Sequence, residues 1–266
     1  MGALAWCSRQ MPYIDADSGR FYYRHWAAEQ PRAAVIFLHG FGENISLYHR
    51  LAFTLNAAGF DFWAVDQLGH GLSPGERGDF GPISHSAGLA EALTALAEEA
   101  TPDIPLVLQG HSFGAAVAIS ILLDSPQRYA AGVLSGAPLV PVPELLNSDS
   151  SFELDLAILS ADPFYLDALE NDPLGFADAD SHALARALDT IWDSLGTELP
   201  TLAVPTLAVH GAVDAIAPVG AVRAYAEQIE PLEVVEFPGA RHDILNETVH
   251  REVAAAIVAF LDRVLG

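Results

Sequence analysis

Ser112 sits inside Gly110-His111-Ser112-Phe113-Gly114, a G-x-S-x-G string between an apolar run (105–112) and a small, apolar helical segment (114–124). A strand that turns this sharply into a helix needs tiny residues on both flanks, and the turn lifts the serine hydroxyl toward the helix amides. The plainer reading is a serine that caps a helix beside two incidental glycines. A serine hydroxyl is a weak nucleophile until a base takes its proton. His242, in "PGARHDILNE" just past the last apolar run, supplies a base, and its imidazole needs a carboxylate to hold its tautomer and stabilise its charged form. Asp214 closes "LAVHGAVD" at the tip of the preceding apolar run, although an aspartate there also suits an ordinary turn. Asp243 is nearer in sequence, but a side chain adjacent to the histidine points away from its Nδ1, so Asp214 is the better acid. Developing negative charge on an acyl oxygen needs donors. The backbone N–H of Phe113, after the serine, and that of Phe41 in "HGFGE", where Gly40 and Gly42 admit close approach, fit that task. His39 reads as a brace for the same loop. Together these residues could carry out acyl transfer through Ser112.

Such residues must be delivered to one place. The chain repeats a short apolar run, a turn and a helical stretch: "AAVIFLHGFGE" (33–43), "FDFWAVDQLGHGLS" (60–73), "PLVLQGHS" (105–112), "AAGVLSGAP" (130–138), "PTLAVHGAVD" (205–214) and "LEVVEFPGARHD" (232–243). Runs apolar on both faces are expected to be buried parallel strands, and the spacing predicts helices over 46–58, 84–100, 114–124, 218–229 and 247–265. "RFYYRHW" reads as an antiparallel edge strand ahead of them. This alternation predicts an α/β fold with a doubly wound, mostly parallel sheet, whose ligands bind beyond the carboxyl ends of the strands. His39, Asp66, Ser112, Ser135, Asp214 and His242 occupy those ends.

Residues 139–200 break the rhythm. They hold no clear buried strand, are punctuated by Pro163, Pro173 and Pro200, and suggest short helices near 150–160, 163–171 and 181–195. An insertion at the ligand edge predicts a helical cap over a core built from 1–138 and 201–266; a peripheral decoration is the alternative. Phe152, Leu156, Phe164, Tyr165 and Trp192 would line an apolar entry or simply pack the insertion onto the core.

The formal charge is −23 and all twelve basic residues are arginine. Such a surface repels phosphate backbones, so nucleic acid is not an expected partner, and it weakens the case for electrostatic docking on anionic membranes. Cys7 is the only cysteine, so no internal disulfide is expected. The start lacks a basic and then apolar leader, Trp6 breaks both lipidation patterns that Gly2 and Cys7 suggest, and no run approaches a membrane span. A cytoplasmic protein, monomer or homodimer, is expected. Of ten histidines, His39, His111 and His210 each precede a small residue at the end of a run, but no H-E-x-x-H or carboxylate-rich companion appears, so neither metal nor cofactor is expected.

"VIFLHGFGE", "VDQLGHGLSPGERGDF", "LQGHSFGAAVA", "HGAVDAIAP" and "GARHDILNE", spread over roughly residues 20 to 264, together resemble the monoacylglycerol lipase and lysophospholipase-like branch of the serine α/β-hydrolases. The resemblance implies an α/β-hydrolase fold: a mostly parallel eight-stranded sheet flanked by helices, with a helical cap inserted before the acid-bearing strand. It also implies hydrolysis of single-chain esters such as monoacylglycerols, with Ser112, Asp214 and His242 as nucleophile, acid and base, and oxyanion amides at Phe41 and Phe113. Phe41 is bulkier than the family's usual residue, and Phe113 replaces a frequent methionine, so both rings are expected to reshape the acyl pocket. Aryl or phthalate monoesters are the alternative substrates. Related folds with epoxide hydrolase or dehalogenase activity use an aspartate where Ser112 stands. A binding scaffold without catalysis would have lost a member of the set, and none is lost here.

Overall fold

The computed structural model describes residues 12–16, 19–142, 155–176 and 181–266. In chain order its elements are β1 (Tyr13–Ala16), β2 (Gly19–Trp26), β3 (Ala33–Leu38), α1 (His49–Ala57), β4 (Phe60–Val65), α2 (Ile83–Ala100), β5 (Leu106–His111), α3 (Phe113–Asp124), β6 (Ala131–Ser135), α4 (Pro163–Glu170), α5 (Ser181–Glu198), β7 (Thr206–Gly211), α6 (Val219–Ala226), β8 (Leu232–Phe237) and α7 (His250–Leu265). Short 3-10 turns at Ile45–Tyr48, Leu156–Ile158, Leu199–Thr201 and Ile244–Asn246 join some of them.

Runs that are apolar on both faces become interior strands: β3, β4, β5, β6 and β7 are buried at every position. Eight strands form one sheet in the order β1-β2-β4-β3-β5-β6-β7-β8. β2 lies antiparallel to β4 and forms a hairpin with β1, and the remaining pairs are parallel. Because side chains alternate along a strand, the sheet carries two cores. Ile36, Leu38, Leu108 and Leu134 face α2, α3, α5 and α6, whereas Val35, Phe37, Val107, Val133 and Val209 face α1 and α7. The parallel register sets Leu38 opposite both Val65 and Gly110, and His111 opposite Ser135. It therefore brings the residues that follow each strand to one edge.

Four expectations shift. "RFYYRHW", expected as an antiparallel edge strand, lies in β2, which is antiparallel but interior, because the hairpin strand β1 pairs with its outer side and takes the edge. β8 was expected to be buried on both faces, but it is an edge strand with Glu233 and Glu236 turned outward, and most of its residues are only half-buried. The helix expected from 247 starts at His250, because Ile244–Asn246 forms a 3-10 turn that seats the preceding histidine loop. The predicted 46–58 helix opens as a 3-10 turn capped by the Asn44 side chain, which accepts from the Ser46 N–H, before α1 begins.

Between β6 and β7, α4 starts at Pro163, with Asp162 accepting N–H bonds from Phe164 and Tyr165. α5 buries Leu184, Leu188, Ile191, Trp192 and Leu195, a helical stripe, against the α3 side of the sheet, and the Trp192 indole donates to the Pro138 carbonyl at 2.8 Å. Of the helix expected at 150–160, residues 150–154 and with them Phe152 lie outside the described residues, and the described part is the turn Leu156–Ile158. Gly2, Trp6 and Cys7 also lie outside them. No described helix is long and apolar enough to cross a membrane.

Candidate active site

Ser112 occupies the turn between β5 and α3 at φ +50° and ψ −118°. Among the described non-glycine residues only it and Asp103 have positive φ, a backbone state that costs energy and is held by its surroundings. The surroundings are tight. A Cβ on Gly110 would come within 2.1 Å of the Gly114 carbonyl oxygen, and one on Gly114 within 2.2 Å of the Leu38 carbonyl oxygen. The Ser112 N–H donates to Ser135 at 2.8 Å, and its carbonyl accepts the first N–H bonds of α3 from Ala115 and Ala116. Its side chain makes no capping bond. Instead Oγ lies 2.9 Å from His242 Nε2. The cap reading of this serine is therefore excluded by where its hydroxyl points.

His242 is buried in the loop after β8, and its Nδ1–H donates to Asp214 Oδ2 at 2.9 Å, which leaves Nε2 as the acceptor for Ser112. Asp214 ends the turn after β7. Its Oδ1 accepts from the Ile216 and Ala217 N–H groups, each at 2.9 Å, and its Oδ2 lies 3.1 Å from His210 Nε2. Burial alone would raise this carboxyl, but His242 and His210 hold it well below the usual carboxylate range. Burial would lower His242, yet the Asp214 charge and hydrogen bond, with the Asp243 charge adding, push it up to about 9. Asp243 turns away from Nδ1 and bonds His111 and Tyr165.

The Phe41 and Phe113 N–H groups make no hydrogen bond among the described residues. The loop carrying Phe41 presses on the serine, since a Cβ on Gly40 would lie 3.1 Å from Ser112 Cβ. His39 braces that loop. Its Nδ1–H donates to Gly40 at 2.7 Å while Nε2 accepts from the Gln67 N–H at 3.0 Å, and burial pulls it down to about 4, so it is a neutral strut. Asp66 does similar work with both oxygens, accepting from the Ile45 and Leu72 N–H groups.

The two phenylalanine rings diverge, contrary to the expectation that both shape the acyl pocket. Phe113 is 1% exposed and stacks on Phe80 with centroids 3.8 Å apart, because the first turn of α3 directs it into the core. Phe41 instead lines a cavity of about 200 Å³ with Leu156, Leu159, Leu169 and Phe176, with Glu170 and Asp172 on the same wall. Of the residues expected at an entry, Leu156 lines this cavity, whereas Trp192 and Tyr165 are buried by packing and Phe164 is 60% exposed. A second apolar recess, lined by Ala137, Leu139, Val142, Ala217 and Pro218, adjoins the Asp214 turn.

His39, His111 and His210 do not gather; each is engaged by a different neighbour. His111, His242 and Asp243 do place one potential ligand atom each within 4.8 Å of one another. His111 Nε2 is bonded to Asp243, and both nitrogens of His242 are bonded to Asp214 and Ser112. The sequence reading missed Glu43, Tyr48, the bonding of the Tyr165 hydroxyl to carboxyl groups, and the inward turn of Asp243 and His111, which form a buried polar cluster beside His242. "HGFGE" carried a faint signal, an acid closing a glycine-rich loop. Nothing in sequence links Glu43 to Tyr165, 122 residues away.

A mostly parallel eight-stranded sheet with a serine, a histidine and an aspartate delivered to its carboxyl edge defines the α/β-hydrolase class. Residues 29–249 match the family described as serine aminopeptidase, S33 (Hydrolase_4), and the chain belongs to that family. It is 28% identical to the monoacylglycerol lipase of Mycolicibacterium smegmatis over 259 residues, 91% of this chain and 92% of that protein. It is 27% identical to the monoglyceride lipase of Homo sapiens over 220 residues, 76% of this chain and 72% of that one. Among solved structures, Paleococcus ferrophilus monoacylglycerol lipase superposes with a TM-score of 0.79 at 25% identity, covering 91% of this chain and 98% of that chain. The fold is shared with a thermostable carboxyl esterase from Bacillus coagulans, at a TM-score of 0.83 and 21% identity over 97% of this chain and 99% of that one. The chain is a carboxylic ester hydrolase of the serine type.

Proposed function

We propose that this enzyme hydrolyses monoacylglycerols and similar single-chain esters through an acyl-enzyme on Ser112. The observation that carries the reading is the unbroken line from Ser112 Oγ through His242 to Asp214, at 2.9 Å for each bond. Nε2 takes the Ser112 proton as Oγ bonds to the ester carbonyl carbon. The charge that develops on the carbonyl oxygen is met by the Phe41 and Phe113 N–H groups and by the amino end of α3. As the tetrahedral species collapses, the alcohol leaves with the proton from Nε2. Water then gives its proton to Nε2, attacks the acyl carbon and releases the acid and free Ser112. Asp214 fixes the tautomer and stabilises the imidazolium in both halves. The cycle as written needs no cofactor.

The cavity beside Phe41 supports an apolar acyl chain, and its walls from Leu156, Leu159, Leu169 and Phe176 support reading 139–200 as a lid. Glu170 and Asp172 on that wall, in a chain of charge −23, disfavour phthalate monoesters, which carry a second carboxylate. The names of the lipase relatives favour the glyceride reading as well. Initial rates on 1-monoacylglycerols of graded chain length, p-nitrophenyl esters and monoalkyl phthalates test it. Monoacylglycerols of medium or long chain are expected to give the highest kcat/KM. A preference for monoalkyl phthalates would replace the glyceride reading by the aryl one.

A further inference from the structure

The mechanism leaves unused a set of buried titratable groups beside His242. Glu43 from the oxyanion loop, Tyr48 from the 3-10 turn before α1, Tyr165 from α4, Asp243 from the histidine loop and His111 from the end of β5 are each at most 4% exposed. Tyr165 Oη is bonded to two carboxyl groups at once, Glu43 Oε1 at 3.0 Å and Asp243 Oδ2. A phenol carries one proton and can donate it to one partner. With both carboxyl groups ionised, the other contact would set lone pair against lone pair and bury two negative charges about one hydroxyl. One carboxyl must therefore bring a proton of its own.

The remaining contacts say which. Glu43 Oε2 accepts from the Gly40 N–H at 2.9 Å and from the Tyr48 hydroxyl, as a carbonyl oxygen does, leaving Oε1 to carry a proton toward Tyr165. Asp243 Oδ1 lies 2.8 Å from His111 Nε2, whose Nδ1 is 3.1 Å from Ser135 Oγ. With Asp243 ionised, both its oxygens receive donors, one from His111 and one from Tyr165. Asp243 is also the member next in the chain to His242, whose imidazolium a negative charge stabilises. We propose that Glu43 is a protonated acid in the resting enzyme, donating to Tyr165, which donates to ionised Asp243, so that a single proton ties the oxyanion loop through the lid helix to the histidine loop. Burial, then the Asp243 charge, raise the Glu43 carboxyl, in the same direction. Glu43, Tyr165 and Asp243 are thus positioning residues: they hold the Gly40–Phe41 backbone and His242 in register, and they leave Asp243 and Asp214 as the negative charges facing the base.

The proposal rests on the acyl-enzyme reading for its kinetic consequences but not for the proton itself, so two readouts are used. The first is infrared difference spectroscopy of the wild-type protein against Glu43→Gln near neutral pH. A carbonyl stretch of an un-ionised carboxylic acid is expected in wild type and absent from the variant. The second is the pH profile of kcat/KM. An amide reproduces every bond of the protonated acid and removes no charge, so Glu43→Gln leaves the midpoint of the acid limb where it is. Asp243→Asn cannot accept from both His111 and Tyr165, and it removes a charge that raises His242. It is expected to move that midpoint to lower pH and to cut kcat/KM by about tenfold or more. The proposal is overturned by no acid carbonyl band lost in Glu43→Gln, by a Glu43→Gln acid limb displaced to lower pH, or by a Glu43→Gln protein that fails to fold. A reversed pattern, with Asp243→Asn neutral and Glu43→Gln disruptive, puts the proton on Asp243 and equally overturns it. If no ester is turned over, the infrared result still decides the proton, and it is the acyl-enzyme reading that fails.

Discussion

At the scale of single residues, two aspartates near one histidine are separated by where their side chains can turn. Asp214 reaches Nδ1 from a different strand end, while Asp243, fixed by its neighbour's backbone, turns to His111 and Tyr165. That Ser112, His242 and Asp214 come together was legible because each stands at a strand end in a recognisable turn. Glu43 and Tyr165 were not, because their roles depend on contacts between segments 122 residues apart. The sign of the His242 shift gives a pH prediction. Only the neutral imidazole accepts the Ser112 proton, and Asp214 raises its pKa, so kcat/KM climbs with pH through a midpoint above 6.5. Asp214→Asn removes the largest opposing influence to burial. The midpoint is expected to fall, and kcat/KM to drop by about 10³–10⁴, the order seen when a triad carboxylate is replaced. A midpoint unchanged in Asp214→Asn would assign the acid elsewhere.

At the scale of elements, the strand–turn–helix around Ser112 works because β3, β5 and α3 approach more closely than any side chain allows. Gly114→Ala would set its methyl carbon 2.2 Å from the Leu38 carbonyl oxygen and is expected to lower stability by about 3 kcal/mol, measured by denaturant unfolding. The interior strands were legible because burial on both faces leaves an unbroken apolar signature. β1 escaped notice because four residues in an edge hairpin carry no period, and β8 was misjudged because an edge strand needs only one apolar face. The segment between β6 and β7 was legible as an interruption, but its packing was not. Trp192 anchors α5 to Pro138, while Leu159 and Leu169 turn to the cavity. Leu159→Trp, by narrowing that cavity, is expected to lower kcat/KM for long acyl chains at least tenfold more than for an acetyl ester. Equal loss on both would remove the acyl chain from this cavity.

At the scale of the molecule, twelve arginines stand against thirty-five acidic residues, and self-repulsion opposes compaction. Several of the arginines are held in exposed ion pairs, such as Arg223 with Glu236 and Arg263 with Glu233, which leaves most acids unneutralised. Screening should relieve that repulsion, so raising sodium chloride from low to about 1 M, where the Debye length falls to about 3 Å, is expected to raise Tm by several degrees. A falling Tm would mean that the ion pairs outweigh the repulsion. Charge and composition alone set an expectation about partner classes without naming a substrate; fold and chemistry came from strand ends, and the substrate reading from the cavity and the relatives.

All of this converges on one bond, the ester that Ser112 forms with its substrate's acyl group. Mapping by mass spectrometry after reaction with a fluorophosphonate tests it most directly. A single adduct on Ser112 is predicted in the wild-type enzyme, with labelling abolished in Ser112→Ala and slowed at least a hundredfold in His242→Ala. An adduct on another residue, or wild-type ester hydrolysis by Ser112→Ala, would contradict it.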